Sequence, residues 1–253
     1  MERHRIACSE IWGGVRNVDL DVCAGGLTAS VFSLACSGES GGDIYYLSVC
    51  GDDRMTRIVL ADVRGHGEQV SHISARIYDS LRQNINTLGC TGVLTDLNAA
   101  IYGQGLNAMT TATVIGYSLA ESRLYFSYAG HSPAYLWRRS GRRWSPLRLT
   151  SESGTANIVL GVLPSMRFDQ ESTPFSQGDR LFVYTDGVIE CTNTDGAQFG
   201  SERLLHTLGA ADGDSLADIK RRIVESLRNH AAPAPFHDDI TFMLVEIPLE
   251  HRA

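Results

Sequence analysis

Four aspartates carry the chemistry this sequence can do. They are Asp43 in Ser40-Gly41-Gly42-Asp43, Asp62 in Ala61-Asp62-Val63-Arg64-Gly65-His66-Gly67, Asp186 in Tyr184-Thr185-Asp186-Gly187, and Asp238 in His237-Asp238-Asp239-Ile240-Thr241. Each stands at the edge of an apolar, β-rich run, where a side chain leaves a strand and can point into a shared cleft. Carboxylates gathered there repel one another unless a cation neutralises them, and hard oxygen donors favour Mg²⁺ or Mn²⁺ over Zn²⁺. The pattern predicts a two-metal hydrolase. Gly65 and Gly67 let the backbone turn sharply beside Asp62. Such a turn brings main-chain oxygens to a metal, which adds the Val63 carbonyl to the candidate ligands. Taken singly, each motif also has an ordinary reading. Asp62 could cap a helix starting near Gly67, Asp43 could follow a Gly-Gly turn, Asp186-Gly187 could end a strand in a turn, and Asp238-Asp239 could lie in a plain loop. The weight comes from the four together.

The elements that must position them are legible from periodicity. Strands are predicted over residues 27–36, 43–50 and 55–63, the last two joined as a hairpin by the polar turn 51–54. From Gly67, Val70, Ile73, Ile77, Leu81 and Ile85 recur at helical intervals, and a second helix is expected over 92–102. Strands follow over 110–118 and 123–129. Gly130-His131-Ser132-Pro133 interrupts the second, which 134–138 continues. The polar, Gly/Ser-rich stretch 141–154 predicts a long hairpin loop. An apolar strand over 179–185 ends at Asp186, helices are expected over 202–208 and 215–230, and a last strand over 239–247. This order is not the alternation of a parallel doubly wound sheet. It predicts one α+β domain of antiparallel sheets with helices packed outside.

Composition excludes several classes. The 253 residues are 43% hydrophobic and 20% charged, as in ordinary folded proteins. The formal charge of −7 argues against nucleic acid or an anionic membrane as partner. Arg138, Arg139, Arg142, Arg143 and Arg148 make a local basic patch, read as the charged ends of a solvated hairpin. Six cysteines without a Cys-x-x-Cys pair fit neither a disulfide framework nor a zinc site and suit a reduced cytoplasm. The N-terminus lacks a signal-peptide pattern, and no apolar run has the length of a membrane span. A cytoplasmic location is expected.

Seven segments also stand in a familiar order: Ser40-Gly-Gly-Asp43, Ala61-Asp-Val-Arg-Gly-His-Gly67, Ala129-Gly-His-Ser-Pro133, Leu160-Gly-Val-Leu-Pro164, Gly178-Asp-Arg-Leu181, Tyr184-Thr-Asp-Gly187 and Asp238-Asp-Ile-Thr241. Over residues 27–247 the sequence resembles the SpoIIE-type branch of the metal-dependent, protein phosphatase 2C-like Ser/Thr phosphatases. The resemblance implies two antiparallel β-sheets packed as a sandwich flanked by α-helices, with two Mn²⁺ or Mg²⁺ ions in a cleft at one edge. It implies that Asp62 bridges both metals, that Asp43 and the Val63 carbonyl complete one shell, and that Asp186 and Asp238 hold the other. Asp239 matches a position beside a ligand. It further implies in-line attack by a metal-activated water, which agrees with the absence of a Cys-x₅-Arg loop. His66 is then a candidate proton donor to the leaving seryl oxygen, or a brace for its turn, while His131 reads as structural.

The implied substrate is a phosphoserine or phosphothreonine on a small regulatory protein, such as an anti-anti-sigma factor in bacterial partner switching. Arg64 and Glu68-Gln69-Val70 depart from the family pattern, which bears on substrate approach and on packing of the following helix. A phosphatase-fold scaffold with weak catalysis, binding a regulatory partner, is the alternative; retention of all four aspartates speaks against it. A diguanylate-cyclase reading of Gly41-Gly42-Asp43 fails because Ile44-Tyr45 follows. Residues 1–26 are expected to form an N-terminal extension too short for a sensor domain, and 27–253 a free-standing catalytic domain. Oligomeric state is not legible.

Overall fold

Side chains alternate between the two faces of a strand, and here that alternation sorts the strands into two sheets with three apolar layers. The computed structural model describes residues 4–6, 11–50, 55–65, 70–150, 158–210 and 213–249. The first six strands are β1 (His4–Ile6), β2 (Ile11–Arg16), β3 (Val18–Ala24), β4 (Leu27–Leu34), β5 (Ser40–Val49) and β6 (Thr56–Val63). Helices α1 (Ser71–Gln83) and α2 (Cys90–Ile101) lead through a 3-10 turn, Leu106–Ala108, into β7 (Thr110–Ser118), β8 (Arg123–Ala129), β9 (Tyr135–Arg138), β10 (Arg143–Pro146), β11 (Glu171–Pro174) and β12 (Arg180–Tyr184). The chain closes with α3 (Gly187–Glu190), α4 (Gly200–Gly209), α5 (Leu216–Ala231) and β13 (Ile240–Glu246).

One sheet runs β1-β3-β4-β13-β12-β9-β10 and the other β11-β8-β7-β6-β5-β2. Among the described strands every pairing is antiparallel except the parallel edge pair β1–β3. Between the sheets lie Val31, Leu47, Leu60, Ile115, Val183 and Met243. The outer face of the β5–β6–β7 sheet takes Ile73, Ile77 and Leu81 of α1 with Val93, Leu94 and Leu97 of α2. The other sheet's outer face takes Leu204 and Leu208 of α4 with Ile219, Ile223 and Leu227 of α5. Full burial of such side chains contributes about 1.5–3 kcal/mol each, and this four-layer arrangement is the expected α+β sandwich. Among the described residues no helix is long and apolar enough to cross a membrane.

Several expectations are corrected. Residues 135–138 do not continue β8. After Gly130 the chain crosses to the opposite sheet, where β9 pairs with β12 and β10. Residues 141–154 are not all loop, since β10 lies within them. Residues 11–24 supply β2, which pairs with β5, and β3, which pairs with β4. Lys220 on α5 clamps β3 through Asp19 at 2.8 Å and Asp21 at 3.2 Å. The turn at 51–54 lies outside the described residues.

One buried cation anchors the junction of α1 and α2. Arg57 on β6 is 2% exposed. It donates to the carbonyl oxygens of Asn84 at 2.7 Å, Ile85 at 3.4 Å, and Thr87. Those carbonyls lie at and beyond the end of α1, where helical partners run out and a cation is favoured.

Candidate active site

The inner face of the sandwich is apolar until its last rungs, where it turns polar on both sheets at once. On β5 the inward series Val49, Leu47, Tyr45 ends at Asp43. On β6 the series Ile58, Leu60 ends at Asp62. The two aspartates are direct register partners across the β5–β6 pair, and Asp62 is in turn opposite Thr111 of β7. On the facing sheet, Leu181 and Val183 of β12 lead to Thr185, and Val245 and Met243 of β13 lead back to Thr241.

Side chains knit the two sheets below these carboxylates. The Thr185 hydroxyl donates to Asp43 Oδ2 at 2.8 Å and accepts from the Thr241 N–H at 3.1 Å. Thr241 and Ser33 hydroxyls pair at 2.8 Å. His131 is buried between Thr111 Oγ1 at 2.8 Å and the Tyr184 carbonyl at 2.9 Å. Its Nε2 must donate to that carbonyl, so Nδ1 accepts from the threonine. Burial pushes its pKa down to about 4, against the opposing pull of the Tyr184 bond. His131 is therefore neutral and structural, as the sequence suggested.

Asp239 was read only as a neighbour of a ligand, and the structure gives it a larger part. Its Oδ2 accepts from the Gly42 N–H at 2.6 Å and its Oδ1 from the Cys36 N–H at 2.8 Å. A side chain on Gly41 would overlap the Asp239 carboxylate, and one on Gly187 would overlap the Asp239 carbonyl oxygen. Those close approaches explain two of the glycines that flank the motif aspartates. A Cβ on Gly42 would sit 2.6 Å from the Val63 carbonyl oxygen and 2.7 Å from that of Gly65. Gly65 has φ of 110°, which makes the turn after Asp62.

Electrostatics mark the cluster as unfavourable without a cation. Burial first, then the charge of Asp62, pushes Asp43 well above the usual carboxylate range, although its bonds from Thr185 and Thr241 pull the other way. Asp62 is pushed up to about 8, chiefly by burial and then by Asp186, Asp238, Asp239 and Glu190. Asp186 is raised by burial and by Asp238 and Glu190. The ordinary capping roles are absent: Asp186 begins α3 with no side-chain cap bond, and α1 begins at Val70 rather than at Asp62. Asp238 Oδ1 accepts from the Asp239 N–H at 2.8 Å. The four aspartates meet at one end of the sandwich, but among the described residues no three acidic, His or Cys side chains stand at closed ligand spacing. His66 lies outside the described residues.

Comparison with known proteins agrees with this geometry. The family profile described as Stage II sporulation protein E (SpoIIE) matches residues 52–248. Phosphoserine phosphatase RsbP of Bacillus subtilis (strain 168) is 27% identical over 218 residues, which cover 83% of this chain and 50% of that protein. The chain thus spans about half the length of this curated relative. Among solved structures, the PP2C phosphatase domain with a fragment of the regulatory domain of SpoIIE from Bacillus subtilis superposes with a TM-score of 0.73 at 14% identity, covering 94% of this chain and 71% of that one. RsbX in complex with magnesium superposes at 0.63 with 18% identity, covering 93% and 99%.

Proposed function

The chain belongs to the SpoIIE family, and on that premise we propose that it is a metal-dependent protein serine/threonine phosphatase of the protein phosphatase 2C-like branch. The observation that carries the reading is the in-register pair of buried Asp43 and half-buried Asp62 at the polar end of the sandwich. The raised pKa values there support the reading, because burial and neighbouring carboxylates disfavour the ionised forms unless a counter-charge is present.

The donor chemistry of these residues suits divalent ions, although among the described residues the side chains do not stand at closed ligand spacing. Every candidate donor is oxygen, which suits Mg²⁺ or Mn²⁺, and the carbonyls of Val63 and Gly65 converge where only a glycine at position 42 leaves room. Asp43, Asp62 and the Val63 carbonyl would hold one ion, with Asp62 shared, and Asp186 and Asp238 the other. When bound, the ions would supply an acidified water near neutral pH and offset charge on the phosphoryl oxygens.

The chain's own part is to position these groups. Thr185 fixes the orientation of Asp43 Oδ2, and Asp239 holds the Gly41-Gly42 backbone that delivers it. Cys36 meets the cluster through its backbone N–H, and burial and Asp239 push its thiol pKa up, so it is no thiolate nucleophile. His66 takes the role of proton donor to the leaving oxygen. The substrate is a phosphorylated serine or threonine on a regulatory protein of the anti-anti-sigma type. Support comes from likeness to RsbP, a phosphoserine phosphatase.

Hydrolysis of p-nitrophenyl phosphate and a phosphoserine peptide, with Mn²⁺, Mg²⁺ or EDTA, tests the reading. Metal-dependent turnover that is lost in Asp62→Asn is expected. No turnover with any metal, together with no metal binding by calorimetry, would leave a protein-binding scaffold in its place.

A further inference from the structure

Four of the seven exposed large hydrophobic side chains among the described residues lie on two adjoining segments: Tyr102 and Leu106 after α2, and Val162 and Leu163 in the loop before β11. Leu106 is 75% exposed and Leu163 44%. The segments are bonded together. Thr110 and Leu160 exchange backbone hydrogen bonds at 3.3 and 2.8 Å. Buried Asn98 accepts from the Gly161 N–H at 2.8 Å and donates to the Leu163 carbonyl at 2.9 Å. The loop is thereby fixed with its two apolar side chains outward. These bonds hold the two segments that carry the exposed apolar side chains against each other, an arrangement that suits an interaction surface.

The patch is continuous with the carboxylate cleft. Met109 N–H donates to the Leu106 carbonyl at 3.3 Å, and the Arg64 N–H donates to the Met109 carbonyl at 3.0 Å. Arg64 is exposed, two residues beyond Asp62, with Nη1 4.0 Å from Met109 Sδ. Among the described residues it pairs with no carboxylate, and the neighbours of Asp62, two residues before it, include Asp186, Asp238 and Glu190, which make that edge acidic. A phosphate dianion approaching that acidic edge is repelled, and an unpaired guanidinium offsets the repulsion.

Resting on the phosphatase reading, we infer that Tyr102, Leu106, Val162 and Leu163, with Arg64 at their inner edge, dock the polypeptide that carries the phosphorylated residue. An apolar side chain at a fixed distance along that polypeptide lies on the patch, and Arg64 receives the approaching phosphate. The occupant is thus a phosphopeptide segment with an apolar residue in register.

The test uses the full chain with Mn²⁺ and a set of phosphoserine peptides in which one leucine is walked along a polar background. One register is expected to raise kcat/KM roughly tenfold or more over the leucine-free peptide. Leu106→Ser and Leu163→Ser should each remove that gain while p-nitrophenyl phosphate turnover and melting temperature stay unchanged. Arg64→Ala should raise KM for every peptide. A flat response to leucine position, or a gain that survives in both leucine variants, overturns the inference. So does a dimer that becomes a monomer in Leu106→Ser with unchanged peptide kinetics, because the patch is then a self-interface. Absence of any turnover by the wild-type chain would overturn the phosphatase reading itself, and this inference with it.

Discussion

Asp239, at the start of the last strand of one sheet, accepts a 2.6 Å hydrogen bond from the backbone of Gly42 on the other sheet, one residue before Asp43. A carboxylate adjacent to a candidate ligand thereby sets where another candidate ligand stands. Asp239→Ala leaves the N–H groups of Gly42 and Cys36 without their acceptor, at a cost of about 1–3 kcal/mol. Catalysis should fall further, roughly 100-fold in kcat, because small misplacements at a reacting centre are costly. Urea denaturation and steady-state kinetics on the same variant measure both.

Removing divalent metal should make stability pH-dependent in a defined window. Asp62 has its folded pKa raised to about 8, so the folded state holds a proton that the unfolded state has lost. Its contribution is therefore present at low pH and lost as pH rises through about 8. His131 acts in the opposite sense but only below its unfolded value, which leaves pH 6.5 to 8 to the carboxylates. In EDTA, unfolding free energy should fall across that range. Saturating Mg²⁺ should flatten the slope, and Asp62→Asn should reduce it without metal.

His131 titrates in a lower window. Held near pKa 4 by burial, it stays neutral in the fold while the unfolded imidazole takes a proton below about 6.5. Its contribution is intact above that value and declines by about 3 kcal/mol on acidification to pH 4. His131→Gln should weaken this acid sensitivity. Lost links to Thr111 and Tyr184 should also lower stability at neutral pH by about 1–3 kcal/mol.

Arg57→Met should loosen one junction more than the whole fold. The methionine fills part of the space but takes the guanidinium donor from the carbonyls of Ile85 and Thr87, and leaves that of Asn84 only the Thr87 N–H at 3.0 Å. A loss of about 1–3 kcal/mol is expected, with amide exchange accelerating first between the end of α1 and the start of α2.

Much of this architecture was readable because burial enforces periodicity. β7 and β8 were predicted to the residue, and α1, α2, α4 and α5 within a few, since each lays an apolar face on a sheet. The four aspartates stood out because each ends an apolar run. What escaped was set by contacts distant in sequence. β2 carries Gly13, where a side chain would overlap the Tyr45 carbonyl oxygen, so its strand character lies in its partner and not in its residues. β10 is a polar edge strand paired only to β9, without an alternating apolar face. The crossing between β8 and β9 hangs on the short break after Ala129. Thr185 and Asp239 looked like motif filler, although one signal existed: both continue the inward-facing parity of their strands.

The bond between Asp239 and Gly42 joins residues 197 apart, and that between Thr185 and Asp43 residues 142 apart. No local nucleus or isolated hairpin can hold both halves of the carboxylate cluster. Loop closure on this scale comes late and slowly in folding, when contacts of long sequence separation finally form. Competence to capture a cation should therefore arise with the last cooperative step. A metal-sensitive signal would then time completion of the whole molecule, and a chain arrested before its final strand docks would carry every motif and no site.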